Sequence, residues 1–408
     1  MHTELAPGIA ATRGAQHAKS LISSCVHCGF CLATCPTYQL LGNELDSPRG
    51  RIYLIKQMLE GAAPTAITAT HLDRCLTCRS CETTCPSGVQ YGKLLDIGRG
   101  MVDAGGARSA GDALVRRGLA GLLSHRRGFA AALMLGRWLR PLLPRGQRAR
   151  IPPAKAAAEW PAARHARRMV ILRGCVQPAL APNINAAAAR VLDRLGVSAL
   201  SVAEEACCGA LSHHLGATGR ALQQARRNVD AWTRWLDAGV EAIVSTASGC
   251  AVMVKDYADL LSDDPRYADK AARVSAAARD LCEVVSASDV AAISGGARRA
   301  RVAWQSPCTL QHGQKITGRV ESLLRAAGYS LTAVRDPHLC CGSAGTYSIL
   351  QPDLSVQLRA AKLQTLQIDG PELIATANIG CLQHLAAAAE VPVRHWIELL
   401  DDVSTQKP

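Results

Sequence analysis

The first cysteine-rich stretch reads CVHCGFCLATCP and spans residues 25–36, and a second, CLTCRSCETTCP, spans residues 75–86. Their cysteines share the same offsets: 25 and 75, 28 and 78, 31 and 81, 35 and 85. Three cysteines spaced by three residues wrap one cubane cluster in a tight loop, whereas a fourth cysteine before proline leaves the loop and ligates the other cluster. The spacing therefore predicts an internal duplication that binds two 4Fe-4S clusters.

The predicted ligand sets are crossed between the two stretches. The expected ligands are Cys25, Cys28, Cys31 and Cys85 for one cluster, and Cys75, Cys78, Cys81 and Cys35 for the other. Structural zinc is the alternative, but its usual pattern separates two CxxC pairs by a dozen or more residues. Four cysteines fall within residues 25–35 here, which favours the iron–sulfur interpretation.

Two sets of residues near the cysteines have simpler interpretations. His27 lies between two predicted ligands. It either raises the reduction potential of a cluster or is an ordinary loop residue. The run Pro48, Arg49, Gly50 and Arg51 is expected to begin the helix between the two stretches, which is a structural role.

Composition indicates a globular protein of two or three domains. The chain has 408 residues, of which 48% are hydrophobic and 19% charged, and its mean hydropathy is +0.06. The longest apolar runs are far shorter than the roughly 20 residues of a bilayer-spanning helix, and residues 1–11 lack the pattern of a signal peptide. We therefore expect a cytoplasmic protein, in which 17 cysteines indicate metal binding more than disulfides.

The positive charge is concentrated in one segment. The net charge is +13, and residues 101–168 hold 14 Lys or Arg against Asp103, Asp112 and Glu159, so 14 − 3 = +11 belongs to that region. Apolar residues at helical spacing predict one or two amphipathic helices there. Attachment to the cytoplasmic membrane face or to a partner subunit is one interpretation, and packing on the protein's own domains is the other. Nucleic acid is not expected, because aromatic stacking residues do not interleave with the Arg residues.

The C-terminal half predicts two copies of a parallel α/β unit. The expected strands are 169–172, 197–202 and 242–246 in the first copy, and 302–304, 329–334 and 373–377 in the second. Cysteines follow each strand: Cys175, Cys207, Cys208 and Cys250 in the first copy, and Cys308, Cys340, Cys341 and Cys381 in the second. Parallel sheets bind ligands at the carboxyl ends of strands, so we favour a metal or redox site in each copy over core packing.

The predicted fold class is α+β with several domains. The expected divisions are 1–105, a helical ferredoxin-type domain; 106–167, the Arg-rich segment and linker; and two cysteine-rich lobes, 168–290 and 291–408. Cys282 is expected to be a buried apolar residue, and His312 and His338 are more typical of half-buried histidines than of site residues.

Several motifs together resemble a known family. The segments CVHCGFCLATCPTYQLLGNELDSPRGRIYLIK, GCVQPALAPNINAAAARVLDRLG, SPCTLQH, HLCCGSAGTYS, TANIGC and VRHWIELL are similar to iron–sulfur subunits of glycolate oxidase, also called glycolate dehydrogenase. More widely, they resemble subunits of heterodisulfide reductase, anaerobic glycerol-3-phosphate dehydrogenase and lactate-utilisation systems. The resemblance implies a helical ferredoxin domain followed by two CCG domains.

The resemblance also implies a function. It indicates an electron-transfer subunit beside FAD-binding subunits that oxidise glycolate to glyoxylate, with D-lactate as a further substrate and a membrane quinone as the electron acceptor. The chain itself has no GxGxxG after a strand, so the FAD is expected on the partner subunits and no substrate-oxidising site is expected here.

One departure separates the chain from five-cysteine CCG domains. Those domains end in CxxC, and Ala247 and Asn378 stand where the first cysteine of that pair would be. Four cysteines per lobe leave open whether the lobes hold a further iron–sulfur cluster. The alternative function is therefore a related lactate, glycerol-3-phosphate or heterodisulfide oxidoreductase subunit with redox chemistry at a CCG site.

Overall fold

The N-terminal part of the protein is entirely helical. A computed structural model describes residues 1–144, 151–156, 158–294 and 299–405. The first helices are Pro7–Ala10, Arg13–Ser23, Pro36–Leu41, Pro48–Leu59, Ala66–Asp73, Ser80–Thr84 and Tyr91–Ala104, with short 3₁₀ turns at Phe30–Leu32 and Glu44–Asp46. Ile22, Ile55, Leu72 and Leu94 are fully buried among these helices and form their common core.

The helix Pro48–Leu59 begins as the sequence predicts. Pro48 occupies its first turn, where a missing N–H costs nothing, and the Ser47 hydroxyl accepts a hydrogen bond from the Gly50 N–H at 3.0 Å. Gly50 is required by packing, because a Cβ there would lie 2.0 Å from the Glu44 carbonyl oxygen. This tight contact fixes the helix against the turn that precedes it.

The Arg-rich segment forms a helical hairpin, which consists of Ala110–Ser124 and Arg126–Leu139. Ser109 caps the first helix and His125 the second, each accepting a backbone N–H three residues later. The described residues of the segment therefore confirm the prediction of one or two amphipathic helices, with two helices in 110–139. Residues 145–150 and 157 of this segment lie outside the described residues.

Two four-stranded parallel sheets form the C-terminal part. The strands are β1 (Arg167–Ile171), β2 (Val197–Leu200), β3 (Ile243–Ser245) and β4 (Ala278–Asp280), then β5 (Arg301–Gln305), β6 (Ser330–Leu331), β7 (Leu373–Thr376) and β8 (Val393–His395). Their spatial orders, β2-β1-β3-β4 and β6-β5-β7-β8, are equivalent. The predicted α+β class and the duplicated parallel lobes are thus confirmed, and each lobe has a fourth strand that sequence reasoning missed.

Helices connect and cover the strands of both lobes. In the first lobe they are Gln177–Leu180, Asn183–Arg194, Ala210–His214, Thr218–Asp237, Ser248–Lys255, Tyr257–Leu260, Ala268–Ala277 and Ala287–Ser294. In the second they are Arg319–Ala326, Tyr347–Leu350, Pro352–Gln367, Ile379–Ala386 and Trp396–Thr405, with a π-helical turn at Thr309–Gly313. Among the described residues, none of these or the earlier helices has the length and apolar character needed to cross a bilayer.

The two lobes share one hydrophobic core. Ile171 and Leu281 of the first lobe and Trp304 and Trp396 of the second belong to the same buried cluster, as does Cys282, which confirms its expected apolar burial. Polar contacts add to this: the Ser248 hydroxyl lies 2.7 Å from the Thr309 hydroxyl, and His395 Nε2 lies 2.9 Å from the Thr246 carbonyl oxygen. The lobes therefore pack as one body.

Candidate functional site

Each cysteine loop turns at two left-handed backbone positions. In the first loop these are His27 and Gly29, with φ of 55° and 84°, and in the second they are Thr77 and Arg79, with φ of 53° and 60°. A non-glycine residue in this region costs roughly 1–2 kcal/mol, and such strain persists only where the surroundings impose it. The duplication thus preserves a wrapped backbone as well as the cysteine spacing.

The first loop lines a cavity, here called the outer cavity. Its sulfur-bearing lining residues are Cys25, Cys28, Cys31, Cys81 and Cys85. Cys28 is exposed, and Val26 and Phe30 beside it are 68% and 60% exposed. This cavity therefore opens at the protein surface.

The second loop lines another cavity, here called the inner cavity. Its sulfur-bearing lining residues are Cys35, Cys75, Cys78 and Cys81, and all four are buried. Cys81 lines both cavities, so the two cavities are adjacent. The structure thus places Cys85 with the first loop and Cys35 with the second, the grouping that crossed ligation requires, and the ligand assignment itself remains a prediction.

The donor chemistry of the two cavities fits iron–sulfur clusters. Burial raises the pKa of Cys31 to about 11 and the pKa of Cys78 and Cys81 well above the ordinary thiol value. Thiolates in such sites need a positive metal centre, which deprotonates a coordinating thiol outright. Within the described ranges, no three Cys, His, Asp or Glu side chains form the compact arrangement of a single metal ion.

Polar groups that sequence reasoning did not identify surround the second cavity. The Tyr91 hydroxyl donates to Cys75 Sγ at 3.7 Å, and the Thr77 N–H donates to the same sulfur at 3.4 Å. Arg51 lines this cavity although its sequence context indicated only a helix start. No local sequence pattern marks Tyr91 or Arg51, because the contacts depend on how distant helices pack.

The four cysteines of each lobe lie in the same order beside one another. Cys308 Sγ and Cys340 Sγ are 4.0 Å apart, and sulfur contacts continue from Cys340 to Cys341 and from Cys341 to Cys381. In the first lobe the equivalent contacts join Cys175 to Cys207, Cys207 to Cys208 and Cys208 to Cys250. Hydrogen bonds from Cys175 and Cys208 lower the pKa of Cys207. Each lobe thus gathers its cysteines at the carboxyl ends of its strands.

The positions of the missing fifth cysteines are occupied differently in the two lobes. Ala247 is buried and belongs to the shared core. Asn378 lies at the cysteine group, where its side-chain amide donates to Cys381 Sγ at 3.8 Å. Neither residue supplies a thiolate.

The second lobe's cysteines adjoin the second cavity. Cys78 and Cys340 share a buried cluster with Leu76, Tyr347 and Leu358, and Cys308 packs against it. After burial, the charge of Cys308 is the largest influence that raises the pKa of Cys78. The inner cavity and this cysteine group are therefore direct neighbours.

Ion pairs and hydrogen bonds join the N-terminal domain to both lobes. Arg79 lies 3.2 Å from Asp256, and Asp96 contacts His213 and His214 of the first lobe at 3.2 and 3.3 Å. On the second lobe, His312 Nδ1 contacts the Thr83 hydroxyl at 2.9 Å. These contacts hold the second cysteine loop against the lobes.

The histidines noted in the sequence, His27, His312 and His338, differ in their contacts and burial. The other ring nitrogen of His312 lies 3.0 Å from the His338 carbonyl oxygen, and burial lowers the pKa of His312. Both of its ring nitrogens are thus hydrogen-bonded, as predicted, but His312 is buried and only His338 is half-buried. Partial burial and the Arg49 charge lower the pKa of His27, which favours its neutral form beside the first loop.

Comparison with known families matches three parts of the chain. Residues 21–89 match the family described as "4Fe-4S dicluster domain", and residues 169–255 and 302–386 match "Cysteine-rich domain". The match includes all eight N-terminal cysteines and the eight strand-end cysteines. The N-terminal domain is therefore an iron–sulfur domain.

Two curated relatives cover nearly the whole chain. The "Glycolate oxidase iron-sulfur subunit" of Escherichia coli (strain K12) is 51% identical over 98% of this chain and 98% of its own. The "Probable glycolate oxidase iron-sulfur subunit" of Bacillus subtilis (strain 168) is 30% identical over 90% of this chain and 89% of its own. Among solved structures, a hypothetical protein from Helicobacter pylori shares the fold with a TM-score of 0.57 and 9% identity, over 98% of this chain and 74% of that one.

Proposed function

The chain belongs to the family of glycolate oxidase iron–sulfur subunits, which are electron-transfer subunits of an oxidoreductase complex, and we propose that it passes electrons from glycolate oxidation to a membrane quinone. Oxidation of glycolate to glyoxylate releases two electrons and two protons, which FAD on partner subunits takes up. The two 4Fe-4S clusters pass those electrons one at a time, and the quinone takes up two electrons and two protons. D-Lactate is a further substrate in this proposal, bound on the partner subunits.

The observation that carries this proposal is the common wall of the two cavities. Cys81 lines both, so clusters on the predicted ligand sets are neighbours. The first cavity opens to the surface at the exposed Cys28, whereas the ligands of the second are buried. An electron relay needs an accessible cluster that exchanges electrons with a partner and a second cluster next to it. The arrangement of these cysteines supports both.

The test is a holoprotein preparation with its FAD-binding partners. Purified anaerobically, the chain should hold about eight iron atoms in its N-terminal domain. Dye reduction by the complex is then measured with glycolate, D-lactate and glycerol-3-phosphate in turn. Fastest reduction by glycolate supports the proposal, whereas reduction by glycerol-3-phosphate alone contradicts it.

A second candidate function is redox chemistry at the second lobe, which the contact of Cys340 with Cys78 favours. In this proposal Cys308, Cys340, Cys341 and Cys381 hold a further iron–sulfur cluster that exchanges electrons with the inner one. Iron above about eight atoms per chain, lost in Cys341→Ser but not in Cys282→Ser, supports it. Unchanged iron in Cys341→Ser contradicts it.

The helical hairpin is the proposed attachment to the cytoplasmic membrane face. Leu114, Met134, Leu135 and Trp138 are exposed on it, with Trp138 76% exposed, and Leu142 is exposed in the 3₁₀ turn that follows it. Some of its arginines have protein partners instead: Arg116 pairs with Asp73 at 2.7 Å, and Arg126 donates to the Glu205 carbonyl oxygen at 3.0 Å. Part of the predicted basic surface therefore anchors the hairpin to its own protein.

Arginines that are exposed and lie outside the ion pairs of the hairpin are the ones to replace in a test of membrane attachment. Arg117 and Arg127 are exposed, so R117Q/R127Q removes charge without breaking the pair of Arg116. Co-sedimentation with anionic vesicles should weaken in this variant and at high salt, because screening acts beyond about 8 Å at physiological ionic strength. W138A should weaken binding to neutral vesicles as well. Equal sedimentation of all three proteins with both vesicle types would contradict membrane attachment.

A further inference from the structure

A fully buried arginine lies beside the inner cysteine cavity. Arg51 is 0% exposed. Its Nε donates to the His71 carbonyl oxygen at 2.7 Å, and its Nη2 donates to the Thr37 hydroxyl at 3.1 Å and to Asp46 Oδ1 at 3.4 Å. Burying a guanidinium is costly unless charges compensate it, so its place here needs a reason beyond starting a helix.

The third nitrogen of Arg51 has no protein partner. Nη1 is buried and makes no hydrogen bond within the described part of the chain. Arg51 lines the cavity that Cys35, Cys75, Cys78 and Cys81 surround. A buried donor without a partner costs about 1–3 kcal/mol, and a cluster in this cavity would supply the missing acceptor.

The positive charge of Arg51 is not cancelled by its acidic neighbour. Asp46 also contacts His71 at 3.0 Å and Arg74 at 3.1 Å, so one carboxylate serves two arginines. A guanidinium does not lose its proton inside a protein, so burial does not neutralise Arg51. Arg51 therefore stays protonated and presents a net positive charge to the cavity.

We propose that Arg51 sets the potential of the inner cluster by donating a hydrogen bond from Nη1 to its sulfur and by placing a buried positive charge beside it. Reduction adds one negative charge to the cluster, and a buried cation stabilises the reduced form more than the oxidised form. Arg51 thereby raises the inner potential, and electrons that reach the outer cluster are drawn inward. This inference rests on the proposed two-cluster relay.

The outer cavity has an arginine with a different environment. Arg49 lines it, but its side chain is 30% exposed and contacts Glu44 through two nitrogens, at 2.6 and 3.2 Å. An exposed, neutralised pair exerts little field on a neighbouring site. Arg49 is thus a matched control, since it is two residues from Arg51 and beside the other cluster.

The test is a redox titration monitored by electron paramagnetic resonance on the anaerobic holoprotein. R51M should lower the inner midpoint potential by about 59 mV or more, a tenfold change in a one-electron equilibrium. D46N should shift it in the opposite direction, because it removes a negative charge. The outer potential should stay unchanged in both variants, and R49M should leave the inner potential unchanged. C28S identifies which signal belongs to the outer cluster.

Two further variants separate electrostatics from folding. R51M/D46N removes one positive and one negative charge and so keeps the net charge of the wild-type site, and R51K keeps a positive charge without Nη1. R51K should retain a higher inner potential than R51M. Equal potentials in R51M and wild type, an equal shift of both clusters, or loss of the inner cluster in all three Arg51 variants would overturn the inference. Absence of two 4Fe-4S signals in the wild-type protein would instead contradict the proposed function.

Discussion

The two cysteine loops share a backbone and a spacing but have opposite environments. Both carry left-handed residues at the third and fifth positions, counted from their first cysteine. Val26 in the first loop is 68% exposed, whereas Leu76, at the same position of the second loop, is 6% exposed. The difference arises because the second loop packs against the C-terminal lobes and the first does not. The duplicated cysteine spacing therefore does not produce two equivalent sites.

In the proposed relay, this difference between the two loops gives electron transfer a direction. The outer loop is open to the surface at the exposed Cys28, and the inner loop faces the cysteine group of the second lobe through Cys78. Burial and Arg51 distinguish the inner site, and Tyr91, which lines both cavities, donates its hydroxyl hydrogen bond to Cys75 of the inner loop. Such differences in hydrogen bonding and exposure are what separate the potentials of identical cluster types.

Removing a cysteine ligand should produce the largest effect and should test crossing. C85S should disturb the outer cluster, and C35S the inner one, although each residue belongs by sequence to the other stretch. Each variant should lose up to about four of about eight iron atoms. Iron analysis and electron paramagnetic resonance of both variants are the measurement. Loss of the inner signal in C85S would show that each stretch holds its own cluster.

The next largest effect is expected at Leu76 of the second loop, which we compare with Val26 at the equivalent position of the first loop. L76A should lower the free energy of unfolding by about 2–4 kcal/mol, because it leaves a cavity between the inner loop and the second lobe. V26A should change it by less than about 0.5 kcal/mol, since an exposed side chain loses little contact. Anaerobic denaturant titration of both holoproteins measures the difference. Similar losses in the two variants would show that the loops are equally packed.

Sequence reasoning could establish the cysteine pattern, the duplication and most strands, because these depend on spacing and local apolar runs. It missed β4 and β8, which have three residues each and pair only with β3 and β7. It also could not distinguish the two loops, since Val26 and Leu76 are both apolar and only tertiary packing exposes one of them. Arg51 was assigned a helix-start role because the sequence does not show that its side chain turns inward to the cavity.

The contact of Asp96 with His213 should make docking of the inner loop depend on pH. Hydrogen bonding to Asp96 raises the pKa of His213 despite its burial, and the two histidines hold the pKa of Asp96 well below its usual range. Arg79 and Asp256 also face His213 and partly offset each other. The His213 contribution is therefore complete below pH 6.5 and is lost as pH rises through its raised pKa, whereas that of Asp96 is lost only in strong acid.

The corresponding variant is D96N, measured by thermal denaturation between pH 6 and pH 9. At pH 6 it should cost about 1.5–3 kcal/mol, since it removes a charged hydrogen-bond partner from a buried site. Wild-type stability should fall with rising pH by on the order of 1 kcal/mol more than that of D96N. D259N alters the exposed ion pair of Asp259 with Lys93 on the same interface and serves as the control. Parallel pH profiles of wild type and D96N would contradict this role.

The smallest effect concerns a single hydrogen bond that only the inner loop receives from a tyrosine. The Tyr91 hydroxyl is buried and donates to Cys75 Sγ at 3.7 Å. A donor to a ligand sulfur stabilises the reduced cluster, but a neutral hydroxyl does so less than the charge of Arg51. Y91F keeps the packed ring, so it should lower the inner potential by a few tens of millivolts, which corresponds to about 0.5–1.5 kcal/mol. The outer potential should change less, because the Tyr91 hydroxyl donates to Cys75 of the inner loop. Redox titration of Y91F beside R51M gives the comparison, and a shift in Y91F as large as that in R51M would show that hydrogen bonding outweighs charge at the inner cluster.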